Sequence, residues 1–302
     1  MNKMNKLKLH LFTLPRWFAL PFFGASIALG IILAGGSFLT LYPYLALLTG
    51  LLIMGGGHSF NSFLDYSWTG LDKGEPEDRS AEKSYTGGQN VIARGLCSPT
   101  EVLANACGWY LLALVPGTVL ALQVSPWMFL IMALMMSITF WYSWAKFNWT
   151  HELSLAVGAG PLSVLIGMFG VNPHPEVIEG IIVGFPVAII LSFAGLALDE
   201  YPDAEANLKK GVKSIAYKVW QYKVDLSSYL AWWIIILYCY QVFMVSIGIF
   251  YPLTGITFLL TPILMALLVM LKGQFEKTAP WFVIVAALYP VLLVVGQAFG
   301  GR

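Results

Sequence analysis

The chain alternates long apolar stretches with short polar ones, on a scale longer than a helix of a water-soluble domain requires. A hydrocarbon core about 30 Å thick needs about 20 consecutive apolar residues per helix. Nine stretches meet that length, over residues 17–36, 41–63, 99–122, 126–145, 152–170, 178–198, 226–250, 253–271 and 280–298. The pattern predicts an all-α polytopic membrane protein with nine transmembrane helices in one membrane-embedded domain over 1–302. Pro161, Pro186, Pro262 and Pro290 fall inside these stretches. They would end a helix in water, but neighbouring helices tolerate them in a membrane. Gly55, Gly56 and Gly57 close the apolar part of the second stretch, where three missing side chains would let another backbone come close, although simple helix packing is the favoured reading.

Composition sharpens this picture. Of 302 residues, 58% are hydrophobic and only 11% charged, where a soluble domain carries roughly a quarter charged residues. That excludes a water-soluble globule. The net charge of +1 offers no footprint for nucleic acid. Cys97, Cys107 and Cys239 show neither C-x-x-C spacing nor a histidine cluster, so a disulfide framework and a zinc site are not indicated. The basic start, Lys3, Lys6 and Lys8, leads into an apolar run too long for a signal-peptide core, with no small-x-small cleavage site, and reads as a retained first span.

Charge also orients the spans. With a cytoplasmic N-terminus, the inner segments collect every Lys and Arg except Arg302, as the positive-inside rule demands. The acidic residues are equally one-sided, since only Glu176 and Glu179 fall outside, and that rule does not account for them. They concentrate in two loops: Asp65, Asp72, Glu75, Glu77, Asp78 and Glu82 in the first, Asp199, Glu200, Asp203 and Glu205 in the second. If the helices run on into these loops, Asn61 and Asp65 share a face at i and i+4, and Asp199, Asp203 and Asn207 do so at successive i+4 steps. Carboxylates stacked in this way repel one another, so a cation is expected between them. Hard oxygen ligands, few in number and open to water, suit Mg²⁺ completed by substrate phosphates. Two facing acidic ladders then imply a diphosphate bridged by magnesium, and a solvated acidic loop is the alternative.

Cations interleave with the ladders: Lys73, Arg79, Lys83 and Arg94 in the first loop, and Lys209, Lys210 and Lys213 after the second. Arg79 and Lys83, nearest the carboxylates, are the favoured phosphate clamp, although the positive-inside bias alone also supplies cations here. Tyr66, Trp68, Tyr142, Trp144 and Tyr201 offer aromatic faces that stabilise cations, and the membrane interface also favours them. His151-Glu152 lacks the second histidine of H-E-x-x-H, and His58 lies one turn before Asn61.

These acidic stretches resemble the UbiA superfamily of intramembrane aromatic prenyltransferases, and within it the 1,4-dihydroxy-2-naphthoate prenyltransferases of menaquinone synthesis. Asn61-x-x-x-Asp65-Tyr66, Gly70-Leu71-Asp72, Tyr85-Thr86-Gly87-Gly88 and Gly95-x-x-Ser98-Pro99 are similar to the family's N-D-x-x-D-Y, G-x-D, F-S-G-G and G-x-x-S-P run. Glu200-Tyr201-Pro202-Asp203 with Asn207, then Gly211 to Ser214, resembles E-x-P-D-x-x-x-D and G-K-x-T. Tyr142-Ser143 and Glu152 through Gly160-Pro161-Leu162 resemble Y-S and G-E-x-x-x-G-x-G-P-L. The resemblance implies a bundle with a central cavity open toward the membrane, in which Mg²⁺ on Asn61, Asp65, Asp72, Asp199 and Asp203 grips the diphosphate of a polyprenyl donor. Asp65 and Asp203 are the residues expected to be indispensable. Arg79, Lys83 and Lys213 would contact phosphate, Tyr142 would line the site, and Lys146 or Arg16 would orient the carboxylate of an aromatic acceptor.

Several residues depart from the family pattern. Ser62 stands where the family has an acid, Asn207 replaces the last aspartate, Val212 replaces a lysine, and the segment after Ser143 is short and lacks paired prolines. Another acceptor, a terpene cyclase, a cation transporter and an inactive assembly homologue are the alternatives these residues leave open. The D-G-x-x-A-R core of CDP-alcohol transferases is absent.

Overall fold

The computed structural model describes residues 3–73 and 91–301, and every element among them is helical. In chain order these are α1 Lys3–Lys8, α2 Leu20–Leu33, α3 Tyr42–Ser67, α4 Pro99–Gln123, α5 Trp127–Ala145, α6 His151–Val157, α7 Ser163–Phe169, α8 Val177–Ala188, α9 Leu196–Glu200, α10 Ala204–Lys209, α11 Ile215–Gln221, α12 Leu226–Ser246, α13 Thr261–Leu271 and α14 Phe275–Phe299. A bilayer leaves helices as the economical solution, because each backbone N–H and C=O finds its partner within the same segment.

Eight helical paths among the described residues are long and apolar enough to cross a membrane. The expected second span, α3, is not among them. It is 26 residues long, about 39 Å at 1.5 Å per residue, so it has the length. Its second half carries Gly55 to Ser59, Asn61, Ser62 and Asp65, which lower its apolar character. The helix that carries the first acidic ladder is thus the one that reads least like a span.

Besides a π-helical segment at Leu9–Thr13 near the N-terminus, wide π-helical turns interrupt two later spans, Gly158–Leu162 between α6 and α7 and Ile189–Gly195 between α8 and α9. Pro161 lies inside the first and Pro186 shortly before the second. A proline cannot donate to the preceding turn, and a local π turn redistributes the freed carbonyls. Pro262, by contrast, opens α13, where its missing N–H is not needed.

Closest backbone approach occurs away from the triple glycine. A Cβ on Gly30 would overlap the carbonyl oxygen of Val164, and one on Gly167 that of Ile27, so α2 and α7 touch backbone to backbone. Gly160 and Gly184 do the same for the π turn and α8. Gly55 and Gly56 instead receive the rings of Trp109 and Tyr110 from α4, and Gly57 receives the Thr139 hydroxyl from α5. Side chains rather than another backbone therefore meet the triple glycine, as simple helix packing requires.

A buried Gln241 on α12 makes three hydrogen bonds, donating to the Thr254 carbonyl at 2.7 Å and accepting from Thr257 and Tyr289 at 2.9 Å each. It fastens the 3₁₀ segment Pro252–Leu260 to α12 and α14. At the other end of the fold, a small cluster of Leu14, Val91, Ile92, Cys97 and Val102 seats the N-terminal arm. Lys6 pairs with Glu101, which also closes a capping box with Ser98 at the start of α4.

Replacing Gly167 by alanine is expected to lower stability by about 1–3 kcal/mol, because the new Cβ meets backbone that cannot rotate away. Gly108→Ala, where nothing lies within 4 Å, should be neutral or slightly stabilising. Thermal unfolding of both variants in the same detergent checks the contrast.

Candidate functional site

Because α3 continues unbroken to Ser67, Asn61 and Asp65 lie one turn apart on one face, and the Asn61 amide donates to Asp65 Oδ2 at 2.9 Å. The same carboxylate oxygen accepts from the Lys146 ammonium at 2.6 Å. Asn61 in turn accepts from Ser143 Oγ at 3.1 Å. Ser143 and Lys146 sit three residues apart at the end of α5, so one face of α5 holds both members of the first ladder. The other Asp65 oxygen, Oδ1, is buried without a hydrogen-bond partner. In a low-dielectric surrounding such an atom is costly.

Beside this group lies a cavity with about 870 Å³ of empty space, counting its open mouth. Arg16, His58, Asn61, Tyr142 and Asp199 form its polar wall, and Phe23, Met54, Met135 and Leu191 are among the apolar side chains that complete it. Gly158 and Gly195, one from each π turn, line it as well. Arg16 reaches the wall from a left-handed backbone conformation with φ 52°, which is uncommon for a residue with a side chain. Its guanidinium donates to Ser62 Oγ at 3.3 Å. Asn61 of the first ladder, Asp199 of the second, Arg16 and Tyr142 thus face one space.

The second ladder is not a continuous α-helix. Asp199 is the last residue but one of α9, a 3₁₀ turn Tyr201–Asp203 follows, and α10 begins at Ala204. Pro202 starts this tightening, which shortens the turn and breaks the even i+4 spacing. Asn207 points onto α11, donating to the Tyr217 hydroxyl at 3.1 Å. Burial, reinforced by the Glu200 charge, holds the Tyr217 phenol well above its usual range, so it stays protonated. It donates onward to the Glu200 carbonyl at 3.4 Å.

The other expected residues are distributed around this core. Asp72 lies in a 3₁₀ turn, Leu71–Lys73, and lines a small recess with Ser62 and Tyr66. Asp203 is half-buried at the end of its turn. Lys213 is exposed, but its backbone N–H donates to the Lys146 carbonyl at 2.6 Å. Arg79 and Lys83, like Glu75 to Glu82 and Tyr85 to Gly88, lie outside the described residues. Val212, where the resemblance leads one to expect a lysine, is 3% exposed. Among the described residues no group of three or more His, Cys, Asp or Glu side chains is close enough to hold a metal by itself.

Glu152 and His151 act through partners that a reading of the sequence does not show. Glu152 Oε1 accepts from Ser214 Oγ at 2.7 Å and from the Ile215 N–H at 2.6 Å, capping α11 and pinning the segment after the second ladder. His151 Nδ1 lies 2.8 Å from Glu200 Oε1, without the alignment of a hydrogen bond. The His151 ring also packs on Tyr142 with centroids 4.4 Å apart. The acid after the histidine and the serine after Tyr142 were visible as motif members, yet their partners lie more than 60 residues away in sequence.

The sequence profile of the UbiA prenyltransferase family matches residues 22–289. The chain belongs to the UbiA prenyltransferase family. It is by that membership a prenyltransferase, and its many apolar helices make it a multi-pass integral membrane protein. Among curated proteins, none matches its sequence. Among solved structures, this UbiA family member is similar to the apo form of a UbiA homologue from Aeropyrum pernix K1, with a TM-score of 0.68 at 15% identity over 95% of this chain and 98% of that one. A digeranylgeranylglyceryl phosphate synthase aligns with a TM-score of 0.60 at 14% identity over 98% and 99%. A UbiA homologue from Archaeoglobus fulgidus bound to DMAPP and Mg²⁺ aligns with a TM-score of 0.60 at 15% identity over 96% and 99%. At these identities the likeness is one of fold.

Glu152→Ala should free the backbone donors of Ile215 and Ala216, at a cost of about 1–3 kcal/mol. Faster amide exchange over 212–221, with α12 unchanged, is the expected reading.

Proposed function

We propose that this UbiA family member transfers a polyprenyl group from an allylic diphosphate to an aromatic acceptor, with 1,4-dihydroxy-2-naphthoate the favoured acceptor and menaquinone synthesis the setting. The observation that carries the reading is the half-satisfied Asp65 carboxylate beside a mostly apolar cavity. A diphosphate head needs cations and hard oxygen ligands, and its tail needs apolar walls. The two requirements meet at Asn61.

The donor set fits Mg²⁺: Asp65 has an oxygen to offer, Asn61 and Asp199 share the cavity wall, and oxygen ligands in small number leave room for phosphate. Asn61, Asp65, Asp72, Asp199 and Asp203 would hold it. When bound, the metal neutralises charge on the departing diphosphate as the allylic C–O bond breaks. This chain's residues supply the rest. The apolar wall takes the tail, at about 0.8 kcal/mol per buried CH₂, and excludes the water that would trap an allylic cation. The Tyr142 ring on the wall offers a face to that cation. Arg79, Lys83 and Lys213 are assigned to phosphate oxygens. Arg16 is assigned to the acceptor carboxylate, because its guanidinium is on the cavity wall and its described partner there is a neutral hydroxyl. Lys146 is held by Asp65 in this state.

The reading also includes nine spans as a bundle around the cavity, with α3 as the second, in a single domain over 1–302. The N-terminus and both acidic loops would then face the cytoplasm. Cysteines placed at residues 175 and 210 should be labelled from opposite sides of the membrane.

Purified protein in detergent with geranylgeranyl diphosphate and Mg²⁺ should release diphosphate only when dihydroxynaphthoate is added, and mass analysis should find a prenylated naphthol. Asp65→Asn and Asp203→Asn should each reduce turnover by about a hundredfold or more while leaving a monodisperse protein. Acceptor-independent release with a cyclic hydrocarbon would replace transfer by cyclisation, and full activity in either variant would remove the metal-bridging role.

A further inference from the structure

We propose that Lys146 is a built-in counter-cation that occupies Asp65 before the metal does and exchanges it for the diphosphate when substrate arrives. The inference rests on the reading of Asp65 as a metal ligand. Its basis is geometric: the ammonium is 2.6 Å from Asp65 Oδ2, and Lys146 and Asp65 are 9% and 4% exposed.

A carboxylate buried to this degree needs compensation when no other cation is near. Lys146 supplies it on one oxygen and leaves Oδ1 unpartnered. A divalent cation arriving at Oδ1 meets an ammonium across the same carboxylate, and like charges this close in a poorly screened site repel strongly. Metal entry therefore favours movement of the ammonium. The main chain of Lys146 is held, because its carbonyl accepts from the Lys213 N–H at 2.6 Å, so the movement falls to the side chain. The ammonium is within 5.0 Å of the Tyr142 ring centroid, and that ring lines the cavity. A short swing along the ring brings the charge toward a diphosphate head in the cavity. Asp65 passes from Lys146 to the metal, Lys146 passes from Asp65 to the phosphate oxygens, and no charge is left unpaired.

The exchange makes a prediction with opposite signs for two substitutions. Lys146→Met removes the competitor and leaves Asp65 to the metal. Lys146→Arg replaces a point charge by a planar fork that can engage both carboxylate oxygens, covering Oδ1 as well. Titration of Mg²⁺ alone by calorimetry, at pH 7 and without donor or acceptor, should therefore find tighter binding in Lys146→Met by about tenfold or more and weaker binding than wild type in Lys146→Arg. Melting temperature gives a second reading, since Lys146→Met should be destabilised without Mg²⁺ and recover when Mg²⁺ is added, whereas wild type should respond little to Mg²⁺ alone. Equal or weaker binding in Lys146→Met would overturn the exchange, and so would equal or tighter binding in Lys146→Arg, which keeps the charge and with it the fold. If Lys146→Met fails to fold, the arginine variant decides the matter by itself. If wild type and both variants ignore Mg²⁺ even with inorganic diphosphate present, the metal reading of Asp65 itself fails. A lysine that served packing alone would not shift metal affinity in opposite directions.

Discussion

The Asp65 carboxylate, buried between Asn61 and Lys146, is the constraint around which the polar half of the structure is arranged. An ionised group in such surroundings cannot be left alone, because the penalty for an unpaired buried charge exceeds what most single contacts return. Its compensation comes from α5, and the same α5 face supplies Ser143 to Asn61. The end of α3 is thereby fastened to the end of α5. The segment after the second ladder is then tied to α5 through the Lys213 N–H and to α6 through Glu152. Both acidic stretches thus sit on helices joined by polar contacts, while the remainder of each helix packs as apolar surface.

The cavity next to this group contrasts with other parts of the bundle, where helices meet backbone to backbone. Where α2 meets α7, and where the first π turn meets α8, glycines bring backbones into contact and leave no space. Around the cavity the chain does the reverse. Wide π turns at Gly158–Leu162 and Ile189–Gly195 reorient side chains, and the triple glycine on α3 is filled from the far side by α4 rings. Irregular helix is tolerated at membrane depth only where protein or a cavity surrounds it, and both π turns satisfy that condition.

The residues that depart from the family pattern acquire a physical meaning in this setting. Ser62 gives Arg16 a neutral hydroxyl where the family pattern has an acid, which leaves the guanidinium charge available to the cavity. Asn207 turns onto Tyr217 and becomes a brace for α11. Val212 is buried, where a lysine would have had to bring its charge out to water. All three lower the local charge, and the balance between Asp65 and Lys146 matters more in a site with fewer carboxylates to share.

Helicity, membrane insertion and the acidic stretches were legible in the sequence, because hydrocarbon thickness sets the length of an apolar run and charge stays at its ends. The i+4 relation of Asn61 and Asp65 was legible for the same local reason, since one helix fixes it. The second ladder was not, because whether Pro202 merely bends a helix or tightens it into a 3₁₀ turn depends on what packs against it. Which side chains meet the triple glycine was not, because filling a gap depends on the neighbouring helix. Least legible were the pairings of Lys146 with Asp65, Glu152 with Ser214 and Ser143 with Asn61, each more than 60 residues apart in the chain. Periodicity reports which face a residue occupies on its own helix. Which charge meets which carboxylate is decided only when helices distant in sequence come to share one buried volume too poor in water to solvate either group alone.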